Sequence, residues 1–340
     1  MDLLPSDDQQ ALLDSIAGML RAEFPVEAAR WRHGSDMDRL QLFAEIGCYG
    51  LGIPEAQGGS GLGPCEEALL FAQIGRHLAP PGVLAAVLAA HLAVAAGRTD
   101  LAAAIVTGET RVALAFPGTG NGPCYLADGR DAQFIIHVTE EVAWLLPASA
   151  AMQRQQQLSL DETVMLESTY LKFDVPGCLR QDGIALALLR DVLVAALLVG
   201  LAENALAVAV AYAKIREQFD QPIGAFQAIK HPLARAAVRC DAARWECMLA
   251  ALSLANATGD AAFQVKAALL VAADAATSTA AIAVQTHGGM GYTAECTAHF
   301  HVKRAQLLQR FVGGMARQRD QFLASPPPAL VRDAASVPAH

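Results

Sequence analysis

The chain predicts an α+β fold that is mainly α. An N-terminal helical domain occupies residues 1–110, a small middle β domain 111–180 and a C-terminal four-helix bundle 181–324, with a flexible tail over 325–340. Three observations carry this. The 340 residues are 54% hydrophobic but only 6% aromatic, with Ala and Leu dominant, which suits helices packed closely on helices. Short β-branched and apolar runs between turn residues are confined to the middle of the chain. Beyond them the apolar spacing becomes helical again over four long stretches.

Taken in order, Ser6 or Asp7 can cap a first helix whose apolar positions Leu12, Leu13, Ile16 and Leu20 share one face. Met37 to Ile46 forms a second helix, followed by the glycine-rich loop within AEIGCYGLGIPEAQGGSGLG, Ala44 to Gly63. Glu66 to Arg76 and Leu84 to Ala96 supply two more helices. In the middle, residues 112–116, 132–138, 142–146 and 164–171 predict a small antiparallel sheet. The bundle helices are expected over 184–218, 226–257, 260–288 and about 295–323. The ending SPPPALVRDAASVPAH has little to bury and predicts a flexible tail.

Composition removes several function classes. A net charge of −9 without a basic cluster argues against nucleic acid, and an anionic substrate would need local positive charge. The seven cysteines lack CxxC spacing and predict free thiols in a reducing cytoplasm. The acidic, amphipathic N-terminus resembles neither a secretory nor a mitochondrial presequence. Arg190, Asp191 and Glu203 interrupt the most apolar region, so a buried bundle helix is expected there and not a membrane span.

The run REQFDQPIGAFQAIKH, Arg216 to His231, is the most informative stretch. It places a guanidinium, a flat ring and amides on a Pro-Ile-Gly turn between two helices, groups that suit a pyrophosphate and the polar edges of a cofactor. This run resembles the signature of the acyl-CoA dehydrogenase family. Gln285 to Leu308, QTHGGMGYTAECTAHFHVKRAQLL, resembles the family's second signature, and the loop ending in PEAQGGSGLG resembles its PE-x-x-GG-x-G loop. The likeness covers nearly the whole chain and implies FAD as cofactor and an acyl-CoA as substrate. It implies that Arg216 meets the FAD pyrophosphate, that Phe219 packs near a neighbour's adenosine and that Gln227 touches flavin. Gln285, Gly288 and Gly289 would lie along the adenosine diphosphate, where missing side chains permit close approach. His299, His301, Lys303 and Arg304 resemble the H-L-Y-x-R-R-A ending of a branch that includes bacterial steroid side-chain dehydrogenases. The His-x-His pair lacks further ligands and reads as a helix face, so no metal is expected. The Lys303–Arg304 pair is read either as a phosphate contact or as a neutraliser of an acidic bundle.

Departures from the family pattern matter as much. The family's TEP-x-AGSD loop corresponds to ALAFPGTGNG, Ala113 to Gly122, where Thr119 is the only hydroxyl. Its W-x-T strand corresponds to VAWLLP, Val142 to Pro147, without the threonine, and the middle domain is shortened. The resemblance places the catalytic glutamate at Val312 or at Arg190; Asp191, the next residue, is a weak substitute about 100° around the helix. Its other reading is an ion-pair partner of Arg190 or a charge at a subunit contact. The expectation is a short subunit of an α2β2 acyl-CoA dehydrogenase catalysing α,β-desaturation, in which a full-length partner supplies the base and the ring contacts. By the same resemblance the electron acceptor is an electron-transferring flavoprotein. Two alternatives stay open: a self-sufficient homo-oligomer with a displaced base such as Asp191, and a non-catalytic binding or scaffolding protein on the same fold.

Overall fold

The computed structural model describes residues 4–31, 37–118 and 122–325. Thr119 and the tail beyond Ser325 lie outside the described residues.

Helix α1, Asp7–Glu23, starts at a capping box. Ser6 Oγ accepts the Gln9 N–H at 3.2 Å, and Gln9 Oε1 accepts the Ser6 N–H at 2.9 Å. Asp7 and Asp8 in its first turn complement the helix dipole, and Leu13, Ile16 and Leu20 are buried at helical spacing. Helices α2 (Met37–Glu45), α3 (Pro64–Arg76) and α4 (Val83–Ala95) fall close to the stretches expected from sequence. A further helix, α5 (Thr99–Val106), follows. Its eight residues span barely two turns, too short for periodicity to separate it from a loop.

The middle of the chain forms one sheet of seven strands: β1 Val112–Phe116, β2 Cys124–Ala127, β3 Phe134–Val138, β4 Val142–Pro147, β5 Ala151–Gln157, β6 Leu166–Leu171 and β7 Leu179–Asp182. The order across it is β5-β6-β2-β1-β3-β4-β7. It is a mixed sheet, which corrects the antiparallel expectation: β1 pairs antiparallel with β2 but parallel with β3. A short apolar run carries no information about which neighbour it meets or in which direction. The expected runs also omitted β2, β5 and β7. Strand β5, AMQRQQQ, is an exposed edge with no apolar alternation to betray it.

The last region holds α6 (Ala185–Ile215), α7 (Gln227–Ala255) and α8 (Ala261–His287), then α9 (Ala298–Phe311) and α10 (Met315–Ala324). The single helix expected over 295–323 is therefore two, parted at Gly313 and Gly314, whose φ angles are 82° and 91°. A two-strand hairpin, β8 Glu217–Gln218 and β9 Gln221–Pro222, separates α6 from α7.

Helix α6 is the axis of the molecule. Its most apolar 18-residue window is long enough to cross a membrane, yet 94% of it is buried inside the fold. Backbone meets backbone where α6 crosses α3: a Cβ added at Gly200 would lie 1.8 Å from the Ala72 carbonyl oxygen, and one at Gly75 2.1 Å from that of Leu197. Side chains there would force the helices apart. One buried cluster then runs without a break from Leu20 and Phe43 through α3 and α4, the sheet residues Leu114 and Ile136, and α6 to Phe311 and Val312. All seven cysteines are free.

Candidate functional site

The first signature lies where α6 stops. Arg216 is its C-cap, with extended backbone angles, and its carbonyl accepts the Ile223 N–H at 2.8 Å, closing the hairpin. The two residues at the tip, Phe219 and Asp220, have φ of 54° and 61°. Both signs of this two-residue turn suit a hairpin, but neither residue is the glycine or asparagine that favours it. Phe219 is also 87% exposed, with the Phe226 ring edge-on to it at 6.1 Å. An exposed apolar ring on a left-handed backbone gains nothing within this chain and costs stability. Arg216 and Gln227, the latter at the first position of α7, are exposed, and the Arg216 guanidinium has no ion pair among the described residues.

The second signature ends α8. Gln285 is exposed, and Gly288 takes φ 59° and ψ −137°, a conformation open essentially to glycine alone. A Cβ added at Gly288 or at Gly289 would meet no heavy atom within 4 Å. His287 donates from Nδ1 to the Ala283 carbonyl at 2.7 Å and stacks on Tyr212 at 4.2 Å between ring centroids. That stack ties the C-terminal ends of α6 and α8 together. Because α7 runs back from the same hairpin, its N-terminus lies there too. Arg216, Phe219, Gln227, Gln285, Gly288 and Gly289 thus gather at one solvent-facing end of the bundle. The positive pole of α7 and the guanidinium of Arg216 give this end a chemistry suited to a phosphate.

The positions where the resemblance places a glutamate are closed. Val312 is 2% exposed and caps α9 within the main core, where Phe311 packs on Phe116 at 5.1 Å and Phe116 stacks on Tyr125 at 5.8 Å. Its carbonyl accepts from Gln318 Nε2 at 2.6 Å. Arg190, near the start of α6, donates to Asp191 at 2.9 Å, to the Val138 carbonyl at 2.6 Å and to Glu140 at 3.2 Å. Asp191 has no exposed surface, and its second oxygen takes Lys266 Nζ at 2.6 Å. Lys266, from α8, also reaches Glu140 at 3.0 Å, Gln318 at 2.7 Å and Gln321 at 3.0 Å. Two cations and two anions therefore form a balanced, buried cluster that pins the β3–β4 turn to α6, α8 and α10. Burial pushes the Glu140 carboxyl up, but Arg190 and Lys266 outweigh it and hold it below the ordinary carboxylate range. Sequence reasoning paired Arg190 with Asp191 as one option. Glu140 and Lys266 went unnoticed, because nothing local links residues that far apart.

Toward the end of the second signature, His301 and Arg304 face inward. His301 is fully buried, its Nε2 lies 2.6 Å from Asn204 Oδ1, and burial pushes it down to about 4, so the ring is neutral. Arg304 pairs with Asp161 and donates to Thr163 Oγ1 at 2.6 Å and the Ala79 carbonyl at 2.7 Å, while Lys303 meets Glu162 at 2.5 Å. These contacts place the basic pair on protein acceptors. In β4, Trp144 contacts Arg180 and Phe173, each 5.2 Å away, and Leu146 is fully buried where the family pattern has a threonine. Among the described residues no three His, Cys, Asp or Glu side chains cluster as metal ligands do.

Comparison with known proteins agrees with this architecture. Residues 6–106 match the acyl-CoA dehydrogenase N-terminal domain and residues 187–325 its C-terminal domain; the sheet lies between the two matches. The chain is 31% identical over 311 residues to acyl-CoA dehydrogenase IpdE2 of Mycobacterium tuberculosis, covering 89% of this chain and 92% of that protein. It is 30% identical over 295 residues to acyl-CoA dehydrogenase FadE34 of the same organism, covering 81% of this chain but only 40% of that longer one. Among solved structures, the ChsE4-ChsE5 complex from M. tuberculosis superposes with a TM-score of 0.79 at 24% identity, over the full length of both chains, a likeness of fold. The chain belongs to the acyl-CoA dehydrogenase family of FAD-dependent oxidoreductases.

Proposed function

We propose that this chain is the short, complementing subunit of a heteromeric acyl-CoA dehydrogenase that desaturates a CoA thioester between its α and β carbons. The observation that carries the reading is the contrast between its two candidate regions. The six residues that resemble cofactor contacts face outward at one end of the bundle, while both positions for the family's base are filled by a buried valine and a paired arginine. For a flavin ring held by this chain alone the residues do not fit: Leu146 offers no hydroxyl, and Trp144 already packs with Arg180 and Phe173. For the adenosine diphosphate part of an FAD presented by a neighbour they fit well. Arg216 and the α7 N-terminus suit the pyrophosphate, Gln227 and Gln285 suit polar edges, and Gly288 and Gly289 leave room for close approach. FAD, held by both subunits, would accept the hydride. The partner would supply the carboxylate that takes the α-proton and the donors around the ring.

Further support comes from the relatives. FadE34 is more than twice as long as its match to this chain, which leaves room for a second unit in the same polypeptide. The ChsE4-ChsE5 structure is a complex of two chains. The self-sufficient alternative has no usable carboxylate at Asp191, whose two oxygens are both committed to cations. The cytoplasm, suggested by the cysteines, and an electron-transferring flavoprotein as acceptor complete the proposal.

The test is flavin absorbance per chain, for this protein alone and co-expressed with a full-length homologue that retains its glutamate. The expected outcome is little flavin alone and about half a flavin per chain in the complex, falling with Arg216→Ala. One flavin per chain in the isolated protein would overturn the proposal.

A further inference from the structure

A cavity of about 710 Å³ lies between α1, α3, α6 and α7, and Ala68, Ala196, Val199 and Cys247 of the main buried cluster form part of its wall. That volume is within the range of small-molecule sites. Its floor is apolar and made largely of small or flat groups: Ala68, Ala72 and Ala196, with Leu69, Val199 and Trp245. The backbone contact at Gly75 and Gly200 fixes the two helices beneath it, so this floor cannot collapse to fill the space. The polar groups stand at the mouth. Glu203, only 11% exposed, meets Arg244 at 2.5 Å and Arg76 at 3.4 Å. Arg21 adds a third guanidinium, against Asp14 as the only other acid in the lining. Three cations face two anions here, in a chain whose net charge is −9.

We infer that this cavity binds an amphipathic carboxylate, an aliphatic or alicyclic acid whose apolar body lies on Trp245 and the alanine floor and whose carboxylate takes Arg76 and Arg244. Glu203 holds the two guanidiniums apart and partly neutralised, and an incoming carboxylate completes their coordination in the planar, two-pronged geometry that arginine favours. The site is remote from the exposed bundle end, so it does not depend on the proposal above and stands or falls separately from it.

The test uses the full chain with dodecanoate below its micellar concentration, read by tryptophan fluorescence and by the thermal midpoint. Expected is a saturable change in fluorescence that Trp245→Phe removes, with a rise in midpoint that Trp245→Phe retains. Dodecanol, the same body without charge, should bind at least about tenfold more weakly. Glu203→Gln should tighten dodecanoate about fivefold by freeing both guanidiniums, a gain that misfolding cannot imitate. Ala72→Phe should abolish binding by filling the floor. A non-saturable response, equal affinity for acid and alcohol, or unchanged affinity in Glu203→Gln would each overturn the assignment.

Discussion

The two ends of helix α6 are built on opposite principles. At Arg190 the helix is sealed: two cations and two anions satisfy one another out of water, and an aromatic core closes over Val312. At Arg216, roughly 39 Å away at about 1.5 Å per residue, the guanidinium is bare, a phenylalanine stands on a left-handed tip and two glycines border open space. A family member that did its own chemistry would keep the first region open to substrate. Here the buried region serves stability and the exposed one is left uncompensated within the chain. Groups that cost stability in the isolated molecule point to a contact made outside it.

Four tests probe the contrast, taken in order of expected effect. Val312→Glu restores the family's residue type but places a carboxylate among apolar groups. Burial should raise its pKa strongly, equivalent to roughly 3.5 kcal/mol of lost stability at pH 7. Urea unfolding should show that loss, and acyl-CoA oxidation by the variant purified alone should stay absent; measurable turnover would mean that the sealed region still admits substrate.

Asp191→Asn leaves Arg190 and Lys266 sharing one anion and should cost about 3 kcal/mol. Arg216→Ala, at the other end, should stay within about 0.5 kcal/mol of wild type. Equal losses from the two variants would erase the distinction between the ends.

The third test is pH. The folded Glu140 carboxyl titrates below its ordinary value of 4.5, so its stabilisation is present above about 4.5 and disappears as pH falls through the folded value. The gap in unfolding free energy between wild type and Glu140→Gln, about 1–2 kcal/mol near neutrality, should close on acidification. A gap that stays constant to pH 3 would remove Glu140 from the cluster's energetics.

The last test has the opposite sign. Phe219→Gly relieves a left-handed backbone and should stabilise the isolated chain by about 1 kcal/mol. In the heteromer the same change should lower flavin retention. A variant that is more stable and retains flavin equally well would show that the tip serves no partner.

Local sequence carried much of this. The long helices and the cap at the N-terminus of the first helix were legible because amphipathic spacing and caps act within a few residues, whereas the reciprocal Ser6–Gln9 box came from the structure. The two signatures named Arg216, Phe219, Gln227, Gln285, Gly288 and Gly289, and Val312 announced itself by its residue type. What needed the tertiary structure was everything that joins distant segments. The parallel β1–β3 pairing depends on which strands meet, the Glu140–Lys266 pairing spans the sheet and the bundle, and the cavity is assembled from α1, α3, α6 and α7. The break of the last helix lay between these cases: Gly313-Gly314 was visible, but only the packing of α10 against α8, with Gln318 held by Val312, decides that the chain turns there. Periodicity and capping are short-range forces written along the chain, whereas charge pairing and close packing act through space between residues that sequence separates.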